Sequence, residues 1–227
     1  MLPQPMPAVH RNLLAIVGAL AAAVVAAAPA LADSEPLSVL ELFANPTFAS
    51  PALSDDGQTL AVIHSKGDVQ FILTRPIAGG EMKPVTRLDD PQARLNWLRW
   101  ANPQRLLMSA LWRNPDAIGM RSRVTRLFGI DANGKNFDWL GRRWPVYGQL
   151  ALQPFRQDDI VHWTPDDPET VRIQVQPPYR GNWPRVMRMN VNTGKLHGAF
   201  SAKQNVREWI ADNEGQVRAG VAYTTDN

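Results

Sequence analysis

"LSDDGQTLAVI", residues 53–63, is a strand, a turn and a second strand in eleven residues. Leu53 closes an apolar approach, and Asp55-Asp56-Gly57 supplies the turn. Thr59, Ala61 and Ile63 then alternate with Leu60, Val62 and His64. Asp folds its side chain back onto the local backbone and Gly accepts positive φ, so this triplet reverses a chain at low cost. The period of two that follows belongs to a strand rather than a helix. Variants return as "LNWLRWANPQRLLMSA" (95–110), "DDIVHWTPDDPETVRIQV" (158–175) and "VREWIADNEGQVRAGVAY" (206–223).

A second kind of phrase alternates with the first. "VQFILTRPIAGGEMKPVTRL" (69–88), "VTRLFGIDANGKNFDWLG" (124–141) and "PRVMRMNVNTGKLHGAF" (184–200) each carry a strand into a Gly turn and out again. Ala78-Gly79-Gly80, Asn133-Gly134 and Thr193-Gly194 provide the left-handed positions that tight hairpins require. Pairing the two phrases gives units near 50–90, 95–142 and 147–200, and an incomplete one at 205–227. A repeat of about 45–55 residues built of four short strands predicts an all-β fold, a partial β-propeller of about three and a half four-stranded antiparallel blades. An irregular sandwich would also show many strands and turns, but has no reason to preserve the order of the two phrases. Trp97, Trp100, Trp163 and Trp209 fall just before the recurring turn, where a flat ring can fill the wedge between blades or offer a ligand a stacking surface.

Composition agrees with a folded domain: 44% of residues are hydrophobic, 20% are charged, and 19 prolines are scattered between the apolar runs. The net charge of +3 comes without a basic stripe or a reader motif, which argues against nucleic acid. Residues 1–32 read differently. His10 and Arg11 precede an apolar run from Leu13 to Ala28, and Ala30-Leu31-Ala32 forms a small-x-small site before Asp33. This layout predicts a signal helix cut between Ala32 and Asp33, with a retained anchor as the alternative, and an exported protein that is periplasmic or secreted. Residues 33–49 are expected to be a lead-in with a short helix capped by Ser38. Absence of Cys removes disulfides and thiolate chemistry.

No serine sits in a G-x-S-x-G elbow. His64, His162 and His197 are far apart, and Ser65-Lys66 and Ser201-Ala202-Lys203 are adjacencies without a supporting pattern. The acid pairs Asp55/Asp56, Asp89/Asp90, Asp158/Asp159 and Asp166/Asp167 lie in or beside turns, where Asp is expected for structural reasons. No segment has calcium, zinc or phosphate-loop spacing. The residues therefore predict no catalytic, cofactor or metal site.

From about residue 41 to the end, the ordered phrases resemble the N-terminal propeller of the prolyl oligopeptidase family. "FASPALSDDGQTLAVI" is similar to its opening blade and "LNWLRWANPQRLLMSA" to its next phrase. "VREWIADNEGQVRAGVAY" is similar to exported bacterial dipeptidyl aminopeptidase and acylaminoacyl peptidase homologues. The resemblance implies a propeller of seven or eight blades that restricts access to a C-terminal α/β-hydrolase carrying a Ser-Asp-His triad. This sequence ends at Asn227, in the fourth unit, so no positions receive that triad. The expectation is a non-catalytic, truncated propeller portion of a secreted peptidase, whose ancestral role is substrate gating. Its expected partners are peptides, a separately encoded hydrolase domain or a second copy of itself. It is expected to have no nucleic-acid partner and no membrane association after cleavage. The alternative is a stand-alone exported binding or scaffold module for a peptide or protein.

Overall fold

The computed structural model describes residues 46–114, 122–145, 153–177 and 183–223. The expected signal helix, its Ala32–Asp33 cleavage site and the helix at Ser38 lie outside the described residues.

Fourteen strands account for almost all regular structure described. They are β1 (Phe48–Leu53), β2 (Thr59–Lys66), β3 (Val69–Pro76), β4 (Lys83–Leu88), β5 (Ala93–Asn102), β6 (Arg105–Asn114), β7 (Ser122–Asp131), β8 (Asp138–Trp139), β9 (Ile160–His162), β10 (Thr170–Val175), β11 (Arg185–Asn190), β12 (Leu196–Phe200), β13 (Val206–Ala211) and β14 (Val217–Ala222). One 3-10 turn, Leu140–Arg143, follows β8. The strands form three four-stranded antiparallel meanders, β1–β4, β5–β8 and β9–β12, and a two-stranded β13–β14 sheet. These are the blades of a β-propeller, and the fold is all-β as the alternating phrases predicted. β1 begins at Phe48, next to the expected end of the lead-in at residue 49. Phe48 and Ala49 pair with His64 and Ile63 across a bulge at Ser50, whose φ of 50° lets the strand bend and continue.

The two repeated phrases occupy two fixed places. The first forms the link between a blade's first and second strands. There Asp56 Oδ1 accepts from Gln58 N, Asn102 Oδ1 from Gln104 N, and Asp212 Oδ1 from Glu214 N, each at 3.0 Å. In the third blade Asp167 accepts instead from the Thr170 hydroxyl. These turns recur because one short acceptor two residues before an orphan N–H closes them locally. The second phrase forms the hairpin between third and fourth strands, where Gly79, Gly80, Gly134 and Gly194 all have positive φ.

Hydrophobic burial lies between the sheets. Ala61, Ile63 and Ile72 of the first blade meet Leu98, Trp100, Leu106 and Met108 of the second. Leu107, Leu127 and Leu140 of the second meet Val171, Ile173 and Met189 of the third. Val186 of the third meets Val206 and Trp209 of the fourth. A fully buried Ile or Leu contributes about 1.5–3 kcal/mol, so each blade draws its stability chiefly from its neighbours.

Candidate binding site at the junction of the second and third blades

Between β5 of the second blade and the segment that leads into and past β9 of the third, a cleft of about 420 Å³ opens. One wall is Asn96–Arg99 of β5, and the other comprises Arg156, Asp158, Asp159, Ile160 and Trp163. Alternation along β5 separates its residues: Leu98 and Trp100 turn into the core shared with the first blade, while Trp97 packs toward the third. Trp97 and Trp163 meet edge to face with ring centroids 6.0 Å apart. The exposed Arg99 guanidinium lies 4.4 Å over the Trp163 ring.

Asp158 anchors the back of the cleft. It accepts from the Ser109 hydroxyl at 2.6 Å, the Thr125 hydroxyl at 2.5 Å and Asn96 Nδ2 at 3.5 Å. Ser109 is completely buried, so this carboxylate is a fastener between blades with its acceptor capacity largely used. Thr125 also accepts from the Gln157 N–H, and its own N–H donates to Phe155 O. Asp159 beside it accepts from Gln174 Nε2 at 2.9 Å and reaches Arg156 at 3.8 Å. Burial pushes the Asp159 carboxyl above the usual range; Arg156 opposes that shift, while Asp158 and Glu208 add to it.

A second cleft, of about 450 Å³, lies at the hairpin ends of the same two blades. Its buried member, Arg105, pairs with Asp131 at 2.8 Å and donates to Asn136 O at 2.8 Å and Val191 O at 3.2 Å. Arg105 thus holds its own blade's hairpin and reaches into the next blade.

The residues weighed in the sequence fall into separate places. Asp56, Asp167 and Asp212 serve turns, and hydrogen bonds from Ser54, Thr170 and Arg218 respectively are the largest influences holding their carboxyls below the usual range. Asp90 accepts from Gln92 N and from the Trp112 indole. Asp158 and Asp159 are the exception to the turn reading, since they face a blade junction. His64 sits between Phe48 and Phe71, with ring centroids 4.8 and 6.3 Å away. His162 accepts from Thr164 N on Nδ1, which leaves Nε2–H to donate to Asn213 O of the fourth blade. His197 is paired with Arg188 in the ladder. No serine–histidine hydrogen bond and no metal-competent cluster occurs among the described residues. Among the described residues no helix is long and apolar enough to cross a membrane. The tryptophans divide: Trp100 and Trp209 are buried wedges donating to Ala52 O and Pro184 O, while Trp97 and Trp163 line the cleft.

Sequence reasoning missed the residues that join blades. Gln70 Oε1 accepts from Leu95 N at 2.7 Å, and Gln174 Oε1 accepts from Trp209 N at 2.8 Å. Both glutamines are buried. A polar residue at an inward position of an alternating strand was the available signal.

No family profile and no curated protein matches the chain. Among solved structures it is similar to an oligogalacturonate lyase from Vibrio parahaemolyticus, with TM-score 0.47 and 9% identity over 76% of this chain and 46% of that one. It is also similar to an acylaminoacyl peptidase in complex with Z-Gly-Gly-Phe-chloromethyl ketone, with TM-score 0.46 and 13% identity over 74% of this chain and 27% of that one. TolB from Acinetobacter baumannii is comparable, with TM-score 0.46 and 11% identity over 79% of this chain and 44% of that one. The chain spans less than half the length of each of these structures, and the likenesses assign it no activity.

Proposed function

We propose that this chain is a non-catalytic propeller portion of an exported, prolyl oligopeptidase-like peptidase, and that it acts by restricting which peptides reach a hydrolase. The observation carrying this reading is the ordered recurrence of the two phrases at equivalent places in successive blades. The same ordered set carries the family resemblance. The hydrolase is a separate component in this reading, and the N-terminal apolar segment directs export. Two measurements test it. The purified full chain should release no product from a panel of short peptides, whereas hydrolysis retained by the homogeneous chain with no other protein present would refute it. The coding sequence adjoining that of this chain should specify further blade phrases and a G-x-S-x-G elbow. Unrelated adjoining sequence favours the second reading, a stand-alone binding module, for which the cleft between β5 and β9 is the supporting observation.

A further inference from the structure

The cleft between β5 and β9 carries a more specific inference than gating, and one that requires no hydrolase. Its carboxylates are already engaged: Asp158 accepts from three side chains and Asp159 from Gln174. Its guanidinium groups are less committed. Arg99 makes no ion pair among the described residues and is held only through the Trp163 face. Arg156 reaches Asp159 no closer than 3.8 Å, with a side chain 65% exposed. A stacked guanidinium keeps its N–H edge free in the plane, the direction from which a carboxylate makes paired hydrogen bonds. Trp97, Ile160 and Trp163 line the same cleft, with Trp163 beneath Arg99, and offer apolar surface to a group next to the acid. At about 420 Å³ the space falls within the range of small-ligand sites, which runs from about 300 to 1,000 Å³. It accommodates the end of a chain rather than a long segment.

We propose that this cleft binds the free carboxylate of a peptide's last residue through Arg99 and Arg156, with that residue's apolar or aromatic side chain against Trp97 and Trp163. The test is a titration of the full chain, followed by tryptophan fluorescence and calorimetry, with N-acetyl-Ala-Phe as the free acid, its C-terminal amide, phenylacetate and acetate. The free acid should bind saturably, the amide at least about tenfold more weakly, and acetate more weakly than phenylacetate, because a charge-assisted pair and an apolar contact are lost in turn. Arg99→Ala and Arg156→Ala should each weaken the acid about tenfold, and the double variant should abolish binding. Both side chains are exposed, so far-UV circular dichroism and the melting curve should stay unchanged. Equal binding of acid and amide, no binding of the acid, or undiminished binding by the double variant overturns the proposal. Phenylacetate binding as tightly as the peptide acid overturns the peptide assignment in favour of a small organic acid. None of these outcomes touches the gating reading, which is judged on hydrolysis and adjoining sequence.

Discussion

Gly57 and Gly194 share one backbone conformation, φ +69°, in two different surroundings. An Ala at either position bears the same left-handed strain, about 1–2 kcal/mol. At Gly57 the new methyl would meet nothing within 4 Å, so Gly57→Ala should cost only that strain. At Gly194 it would press on the Leu140 carbonyl oxygen, with Leu140 C and Cα at 2.7 and 2.8 Å. Those are backbone atoms of the 3-10 turn in the neighbouring blade, and they cannot swing aside as a flexible side chain can. Trp144 Nε1 donating to Gly194 O at 3.0 Å also pins the two segments together. Overpacking of this kind adds about 1–3 kcal/mol, so Gly194→Ala should cost about 2–5 kcal/mol in total. Urea unfolding of the full chain, followed in parallel by fluorescence and circular dichroism, measures both variants. Losses within about 0.5 kcal/mol of each other would show that the blades can separate without cost, and would refute the close docking from which the estimate was built.

Gln174→Leu should destabilise more than Gln70→Leu, by about 1–2 kcal/mol in the same unfolding assay, because it orphans the buried Trp209 N–H and also loses bonds to Asp159 and Arg207 O. Gln70 fastens one main-chain N–H and reaches Ser65 only at 3.4 Å. Asp159→Asn should remove a pH dependence. Because the folded carboxyl is raised, the native state holds its proton more tightly than the unfolded chain, and stability falls as pH rises from about 3.9 through the raised value. The variant should lack that decline and be at least as stable as the parent at neutral pH, as thermal melts across the pH range would show. Arg105→Met should cost about 3 kcal/mol by leaving Asp131 unpaired, and Asp131→Asn in the same chain should recover part of that loss in a double-mutant cycle.

What could be read from the sequence was local. The Asp56, Asn102 and Asp212 turns close on acceptors two residues from their donors, and the hairpin glycines need only their own φ, so eleven-residue phrases contained everything required. At the start of β1 the bulge at Ser50 interrupts the alternation that marks a strand. The site was largely illegible for a different reason. Asp158 lies 49 residues from Ser109 and 33 from Thr125, and none of the three carries a motif that names the others. Arg105 stood in a quoted phrase, yet its burial is decided by Asp131, Asn136 and Val191 closing around it. Trp97 and Trp100 look alike in sequence and face opposite neighbours, a distinction visible only once the strand is placed between two sheets.

The polar fasteners between blades have a bearing on how the protein forms in time. They join a sheet to the next in the chain, for example across 25 residues at Gln70–Leu95 and 86 at Arg105–Val191. None waits for a distant terminus. A chain leaving the ribosome or a translocation pore can therefore seat each new sheet on the one already folded, like courses of brick. Loop-closure entropy is met in similar instalments and does not accumulate toward the end. The same nearest-neighbour wiring makes the repeat a movable unit: a gene duplicating one blade copies the donor on one side and the acceptor on the other, and the new joint comes with its fastener.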